Sequence, residues 1–240
     1  MSKVLELIGV SRVFANGRGL HKTTLTVNEG EIIGLLGANG SGKTTLMKIA
    51  CGLTRPDAGE VTVTGESMKD APEKAIACVG ALIETPAVYP FLSARDNLYV
   101  ALDYMGIKNK KLADEMLFKV GLQKYAKEKA KNFSLGMKQR LGLALAFLGD
   151  KKLYLLDEPT NGLDIESAAQ IKDVIRASCT ESGAAAIVSS HLASEIERLA
   201  SRVIILHEGE ILKDVKMTEA TNEGRTLEEY YLAVRSGAEV

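Results

Sequence analysis

Short apolar runs, each long enough for one strand or one helix face, alternate along the chain with charged and turn-rich stretches. Residues 5–13 (LELIGVSRV) and 20–27 (LHKTTLTV) alternate partly between apolar and polar positions, with Ala15, Asn16 and Gly17 between them. They read as strands of an N-terminal antiparallel β layer. Residues 32–36 (IIGLL) are instead continuously apolar, stop at Gly37, and lead through a glycine-rich loop into a helical pattern over 43–51. That is a buried strand, a loop and a helix. Similar runs recur at 153–156 (LYLL), 185–189 (AAIVS) and 202–206 (RVIIL), separated by helical patterns at 164–180 and 192–199. This order predicts an α/β fold with a mostly parallel sheet flanked by helices.

Residues 93–148 carry helical periodicity throughout and open on a capping-box pattern from Ser93 to Asp96. They read as a helical subdomain, bounded at 85–149, inserted in a single domain that spans 1–240. The Lys/Glu-rich stretch 124–131 (KYAKEKAK) reads as the solvated face of a helix. In the C-terminal tail, 218–240, residues 226–234 read as one amphipathic helix.

Composition narrows the class without choosing it. Thirty basic and thirty-one acidic residues leave a net charge of -1, so no global field points to nucleic acid as a partner. Cys51, Cys78 and Cys179 show no CxxC or Cys/His spacing, which argues against a disulfide framework or a zinc site. The opening MSKVLELIGV never builds an apolar h-region, so a cytoplasmic chain is expected. Residues 141–148 (LGLALAFL) fall far short of the roughly 20 apolar residues that span a bilayer.

The chemistry enters at residues 37–44 (GANGSGKT), which fit the P-loop pattern between a buried strand and a helix. Backbone N–H groups around Gly37, Asn39, Gly40, Ser41 and Gly42 can converge on phosphate oxygens only where side chains stay clear. The following helix N-terminus, with Thr44 and Thr45, adds positive potential. Lys43 would reach the β- and γ-phosphates, and Thr44 a Mg²⁺ ion. The strand 153–156 ends in Asp157 and Glu158. Beside a P-loop, such a pair divides its work: Asp157 near the metal shell, Glu158 as the base that polarises the attacking water.

With those residues in hand, the order of further motifs resembles the ABC (ATP-binding cassette) ATPase family across nearly the whole chain. Residues 133–137 (FSLGM), followed by KQR, are similar to the family signature LSGGQ, departing at Phe133, Leu135 and Met137 but keeping Ser134 and Gly136. Residues 159–164 (PTNGLD) resemble the D-loop that ends on Asp164, and His191 resembles the switch histidine. Phe14 matches the aromatic that stacks on adenine. The Q-loop position carries Glu84 in an Ile-Glu-Thr-Pro context. Together with the signature segment, that looks like the bacitracin-resistance and lantibiotic-immunity branch.

The resemblance implies a P-loop NTPase core that binds and hydrolyses ATP with Mg²⁺. It implies two copies that sandwich two nucleotides, with Ser134 and Gly136 of one facing the γ-phosphate held by the other. Lys43, Glu158 and His191 would act in catalysis; Thr44, Asp157 and Glu84 would serve the metal, Glu84 through a metal-bound water or through a permease contact. A separately encoded permease would take the chain to the inner face of a bacterial membrane and export antimicrobial peptides. The rival is a single-cassette ABC ATPase that serves as a scaffold or regulator. A small P-loop kinase or GTPase leaves the signature and D-loop unexplained.

Overall fold

The structure is a computed structural model that describes residues 2–238. Strands β1 (Lys3–Val13) and β2 (Gly19–Asn28) pair antiparallel and, with β4 (Ala58–Val63) and β5 (Glu66–Ser67), form a four-stranded sheet in the order β2-β1-β4-β5. The second sheet has the order β10-β9-β3-β8-β7-β6, built from β3 (Ile32–Leu36), β6 (Val79–Leu82), β7 (Leu153–Leu156), β8 (Ala185–Ser189), β9 (Arg202–His207) and β10 (Glu210–Lys216). The β9-β3-β8-β7-β6 neighbours run parallel, and β10 runs antiparallel along the β9 edge.

The continuous apolar runs follow from burial on both faces of this sheet. Ile33 and Leu35 of β3, Leu153 and Leu155 of β7 and Ile187 of β8 turn toward helix α1 (Lys43–Ala50) and the antiparallel sheet. Ile32, Leu36, Tyr154, Leu156 and Val188 turn the other way. There they meet α5 (Leu135–Ala146), α6 (Ile165–Ser182) and α7 (Ala193–Leu199). The same core extends to α3 (Ala94–Tyr104) and α4 (Lys111–Lys119). Helices α2 (Pro72–Ala77) and α8 (Met217–Ala220) are short.

The helical stretch departs from its expected form in two places. Residues 124–131 are not a continuous helix: two 3-10 turns, Gln123–Tyr125 and Ala130–Asn132, bracket a turn and an isolated bridge from Lys129 to Ser93. The backbone of this segment is committed elsewhere, because the carbonyls of Glu128 and Ala126 accept from Ala94 and Arg95 N–H, two of the orphan donors at the start of α3. Ala126 and Ala130 are buried in the process. At Ser93 the hydroxyl caps Asp96 N–H at 3.1 Å, but the Asp96 carboxylate takes the Ser93 hydroxyl rather than its N–H, so the box is half formed.

Toward the C-terminus, α9 (Leu227–Ser236) starts on a complete capping box between Thr226 and Glu229. Leu227, Tyr230 and Val234 are buried, and Leu227 N–H donates to Glu197 Oε2 of α7 at 2.8 Å. Residues 239 and 240 of the expected tail lie outside the described residues. Among the described residues, no helix is long and apolar enough to cross a membrane.

Candidate functional site

The parallel strands β3, β7 and β8 lie side by side and end together, which brings loops distant in sequence to one edge. Residues 37–42 turn from β3 into α1 with Gly42 at φ 108°, where a Cβ would meet the Gly19 carbonyl oxygen at 2.7 Å. Helix α1 has no side-chain cap and no acidic residue in its first turn, so its N–H groups at Lys43, Thr44 and Thr45 stay available to an anion. The Ser41 hydroxyl is buried without a partner among the described residues, in the loop where phosphate oxygens would supply one.

Lys43 is nearly buried and donates to the carbonyls of Gly37 (2.6 Å) and Ala38 (3.3 Å). Burial lowers its pKa, and the charges of Glu158 and Asp157 oppose that shift. The ammonium therefore lies in the field of both acids.

From Thr44 a chain of hydrogen bonds runs across the strand ends. Thr44 Oγ1 donates to Asp157 Oδ2 at 2.9 Å, and Ser189 Oγ donates to Asp157 Oδ1 at 2.6 Å. The same Ser189 oxygen accepts from Glu158 N–H at 2.9 Å, and His191 Nδ1 lies 2.7 Å from Glu158 Oε2. Glu158 has φ 50°, a left-handed conformation uncommon for a residue other than glycine. Gln139, buried in α5, donates to the Glu158 carbonyl at 3.0 Å, so the helix that follows Ser134 also fixes the end of β7. Ser189 and Gln139 were not singled out by sequence reasoning. The only signal for either was its position inside a quoted motif.

The remaining motif residues lie around this centre. Ser134 is the N-cap of α5, its hydroxyl accepting from Met137 N–H at 3.2 Å. At Gly136 a Cβ would come within 2.8 Å of the Gly162 carbonyl oxygen, so signature and D-loop touch within the chain. Asp164 caps α6 and accepts from Ser167 N–H at 2.8 Å, which with the Ser167 hydroxyl holds its pKa below the usual carboxylate range. Neither Ser134 nor Gly136 hydrogen-bonds to residues 37–45 among the described residues.

Glu84 follows β6 at φ 60° and pairs with Lys48 at 2.8 Å, one turn beyond Thr44 on α1. Phe14 is 43% exposed at the base of the loop between β1 and β2, with the Arg12 guanidinium 5.3 Å from its ring centroid. That loop and the P-loop line a cleft through Asn16, Arg18, Ala38, Asn39 and Gly40. Phe14 itself stands outside the lining.

A divalent metal fits the donor set that is present. Thr44 and Asp157 offer hard oxygens already in contact, and no cluster of three or more His, Cys, Asp or Glu gathers among the described residues. A hydroxyl and a carboxylate oxygen in contact suit a hard divalent cation that keeps waters and substrate phosphates as its other ligands.

The chain is similar to known proteins in both sequence and structure. Residues 20–161 match the ABC transporter family model. The chain is 35% identical over 240 residues to the bacitracin transport ATP-binding protein BcrA of Bacillus licheniformis, covering 100% of this chain and 78% of that protein. It is 33% identical over 219 residues to the lantibiotic transport ATP-binding protein SrtF of Streptococcus pyogenes, covering 91% and 93% respectively. Among solved structures, a dimeric post-hydrolysis state of the ATP-binding cassette MJ0796 bound to ADP and Pi aligns with a TM-score of 0.82. That alignment has 26% identity and covers 89% of this chain and 98% of that one.

Proposed function

The chain belongs to the ABC transporter family as an ATP-hydrolysing, ATP-binding subunit, and from that premise we propose that it powers an exporter whose membrane-spanning permease is a separate protein. Antimicrobial peptides of the bacitracin or lantibiotic type are the proposed cargo, supported by the names of the BcrA and SrtF relatives. Those names also favour transport over the scaffold reading. With no membrane-crossing helix among the described residues, the proposed site of work is the inner face of the membrane, reached through the permease.

In the proposed mechanism the P-loop N–H groups, Ser41 and Lys43 bind the phosphates, and Phe14 offers a ring face to adenine. Thr44 and Asp157 would hold Mg²⁺, which when bound would neutralise charge on the phosphates. Glu158 takes the proton of the attacking water. His191 orients the Glu158 carboxylate through their 2.7 Å contact, while Ser189 and Gln139 hold its backbone. Two copies pair isologously, each presenting Ser134, Gly136 and Asp164 to the nucleotide held by the other; the dimeric MJ0796 structure supports that reading. Because the γ-phosphate favours the closed pair, its binding and loss drive the permease. Glu84, held beside α1 by Lys48, belongs to the coupling surface or to the outer sphere of the metal.

The observation that carries this reading is the unbroken hydrogen-bond chain Thr44–Asp157–Ser189–Glu158–His191. Its test is Glu158→Gln, which keeps ATP binding, accumulates an ATP-bound dimer on gel filtration and loses roughly 10²- to 10⁴-fold in turnover. Hydrolysis at the parent rate would remove Glu158 from the role of base.

A further inference from the structure

The loops after β7 and β8 are joined at a second point, which the assignments above do not use. Glu195, in the first turn of α7, accepts through Oε2 from Thr160 Oγ1 at 2.9 Å and from Ser190 Oγ at 2.9 Å. Thr160 follows Glu158 by two residues, and Ser190 directly precedes His191. The Ser190 oxygen also accepts from Leu192 N–H at 3.1 Å, so the residues on both sides of His191 are tied to one hydroxyl. Ser190 is only 2% exposed.

These groups line a small cavity with Lys172 and with Ile175, Val188 and Ile196, whose apolar side chains offer the hydroxyls no other partner. In such surroundings a hydrogen-bonded polar network rigidifies the segments it joins. Helix α7, which carries the carboxylate, is itself braced by the Leu227 N–H bond from α9 to Glu197. One carboxylate oxygen on an anchored helix thus fixes the spacing between the loop that carries Glu158 and the loop that carries His191.

We propose that Glu195 is a positioning residue for hydrolysis, keeping His191 at hydrogen-bonding distance from Glu158 by bridging Thr160 and Ser190 without touching the nucleotide. The inference rests on the reading of Glu158 as base and His191 as its partner. A bridge makes a specific demand on its parts, since cutting either end releases both loops. Misplacement of a catalytic group by about 1 Å can cost on the order of 100-fold in rate, so losses of roughly 10- to 100-fold are expected here.

The test measures kcat, KM and equilibrium ATP binding in the full chain for Glu195→Ala, Glu195→Gln, Thr160→Val, Ser190→Ala and the Thr160→Val/Ser190→Ala double variant, with Glu158→Gln alongside. Glu195→Ala is expected to lose kcat with KM and ATP affinity little changed. Glu195→Gln recovers most of that loss, because its amide oxygen still accepts both hydroxyls. The double variant should be no slower than its slower parent, the coupling expected of two contacts that act as one. Should Glu195→Ala fail to fold, the two hydroxyl variants and their combination carry the test. Losses that multiply in the double variant, a Glu195→Gln as slow as Glu195→Ala, or kcat at the parent value would each overturn the bridge. An active Glu158→Gln would instead overturn the base assignment on its own, whatever Glu195 does.

Discussion

Removing the Ser189 hydroxyl tests how the end of β7 is held. In Ser189→Ala, Asp157 Oδ1 loses a donor at 2.6 Å and Glu158 N–H loses its acceptor at 2.9 Å, at a residue with 0% exposure. A hydrogen bond to an ionised group contributes about 1.5–3 kcal/mol and a neutral one about 0.5–1.5 kcal/mol, so the variant loses roughly 2–4 kcal/mol. In a chain of this size each 1 kcal/mol moves Tm by about 2–4 °C, which gives a fall of roughly 5–15 °C. Turnover falls too, because the left-handed backbone of Glu158, at φ 50°, persists only while its surroundings fix it. Thermal unfolding and steady-state ATPase measurements read both effects. The control is Ser236→Ala, whose exposed hydroxyl bonds the Ala233 carbonyl at 2.9 Å. Its loss should stay within about 0.5 kcal/mol. If Ser189→Ala melts with that control and hydrolyses ATP like the parent, the reasoning about this hydroxyl is refuted.

Lys43→Ala abolishes nucleotide binding or hydrolysis, whereas Ser134→Arg leaves equilibrium ATP binding intact and blocks dimer closure and turnover; equal loss of affinity in both would sink the two-copy site. Glu84→Gln changes the ATPase rate of the isolated subunit by about twofold or less, since its pair with Lys48 is largely exposed. The same variant loses peptide-antibiotic protection in cells, and full protection with a collapsed ATPase rate would remove Glu84 from coupling.

How much of this was legible depended on burial. Strands β3, β7 and β8 match their apolar runs to the residue because both faces are covered and the runs end where the loops begin. Strand β10 (EILKDVK) went unread because it has no fully buried residue and interleaves charge with apolar positions at the sheet edge. Strand β4 is apolar only in its second half, and α2 is six residues long, too short for a helical period to register.

In the site, Thr44, Asp157, Glu158 and His191 were legible as motif members, and the structure brings them into one hydrogen-bonded row. Ser189, Gln139 and Glu195 were not legible as parts of that row. Their roles exist only once β7 and β8 are neighbours and α5 and α7 pack beneath the strand ends. The Lys48–Glu84 pair is hidden for the same reason, since nothing in the spacing of those residues announces that β6 ends beside α1.

The contact between Gly136 and the Gly162 carbonyl has a mechanical meaning. A Cβ at Gly136 would lie 2.8 Å from that oxygen and 3.5 Å from Leu163 Cδ2, and one at Gly162 would lie 3.3 Å from Leu135 Cδ2, so the two segments fit closely through backbone and side chain alike. In the proposed two-copy sandwich the segment at Gly136 would close over the partner's nucleotide, while the segment at Gly162 trails from the chain's own Glu158. Slack between them is what would let the two sites fire independently. In the proposed pair, the close fit of these segments would pass a displacement of the loop behind one base to the clasp over the other nucleotide, like an escapement in which neither half advances alone.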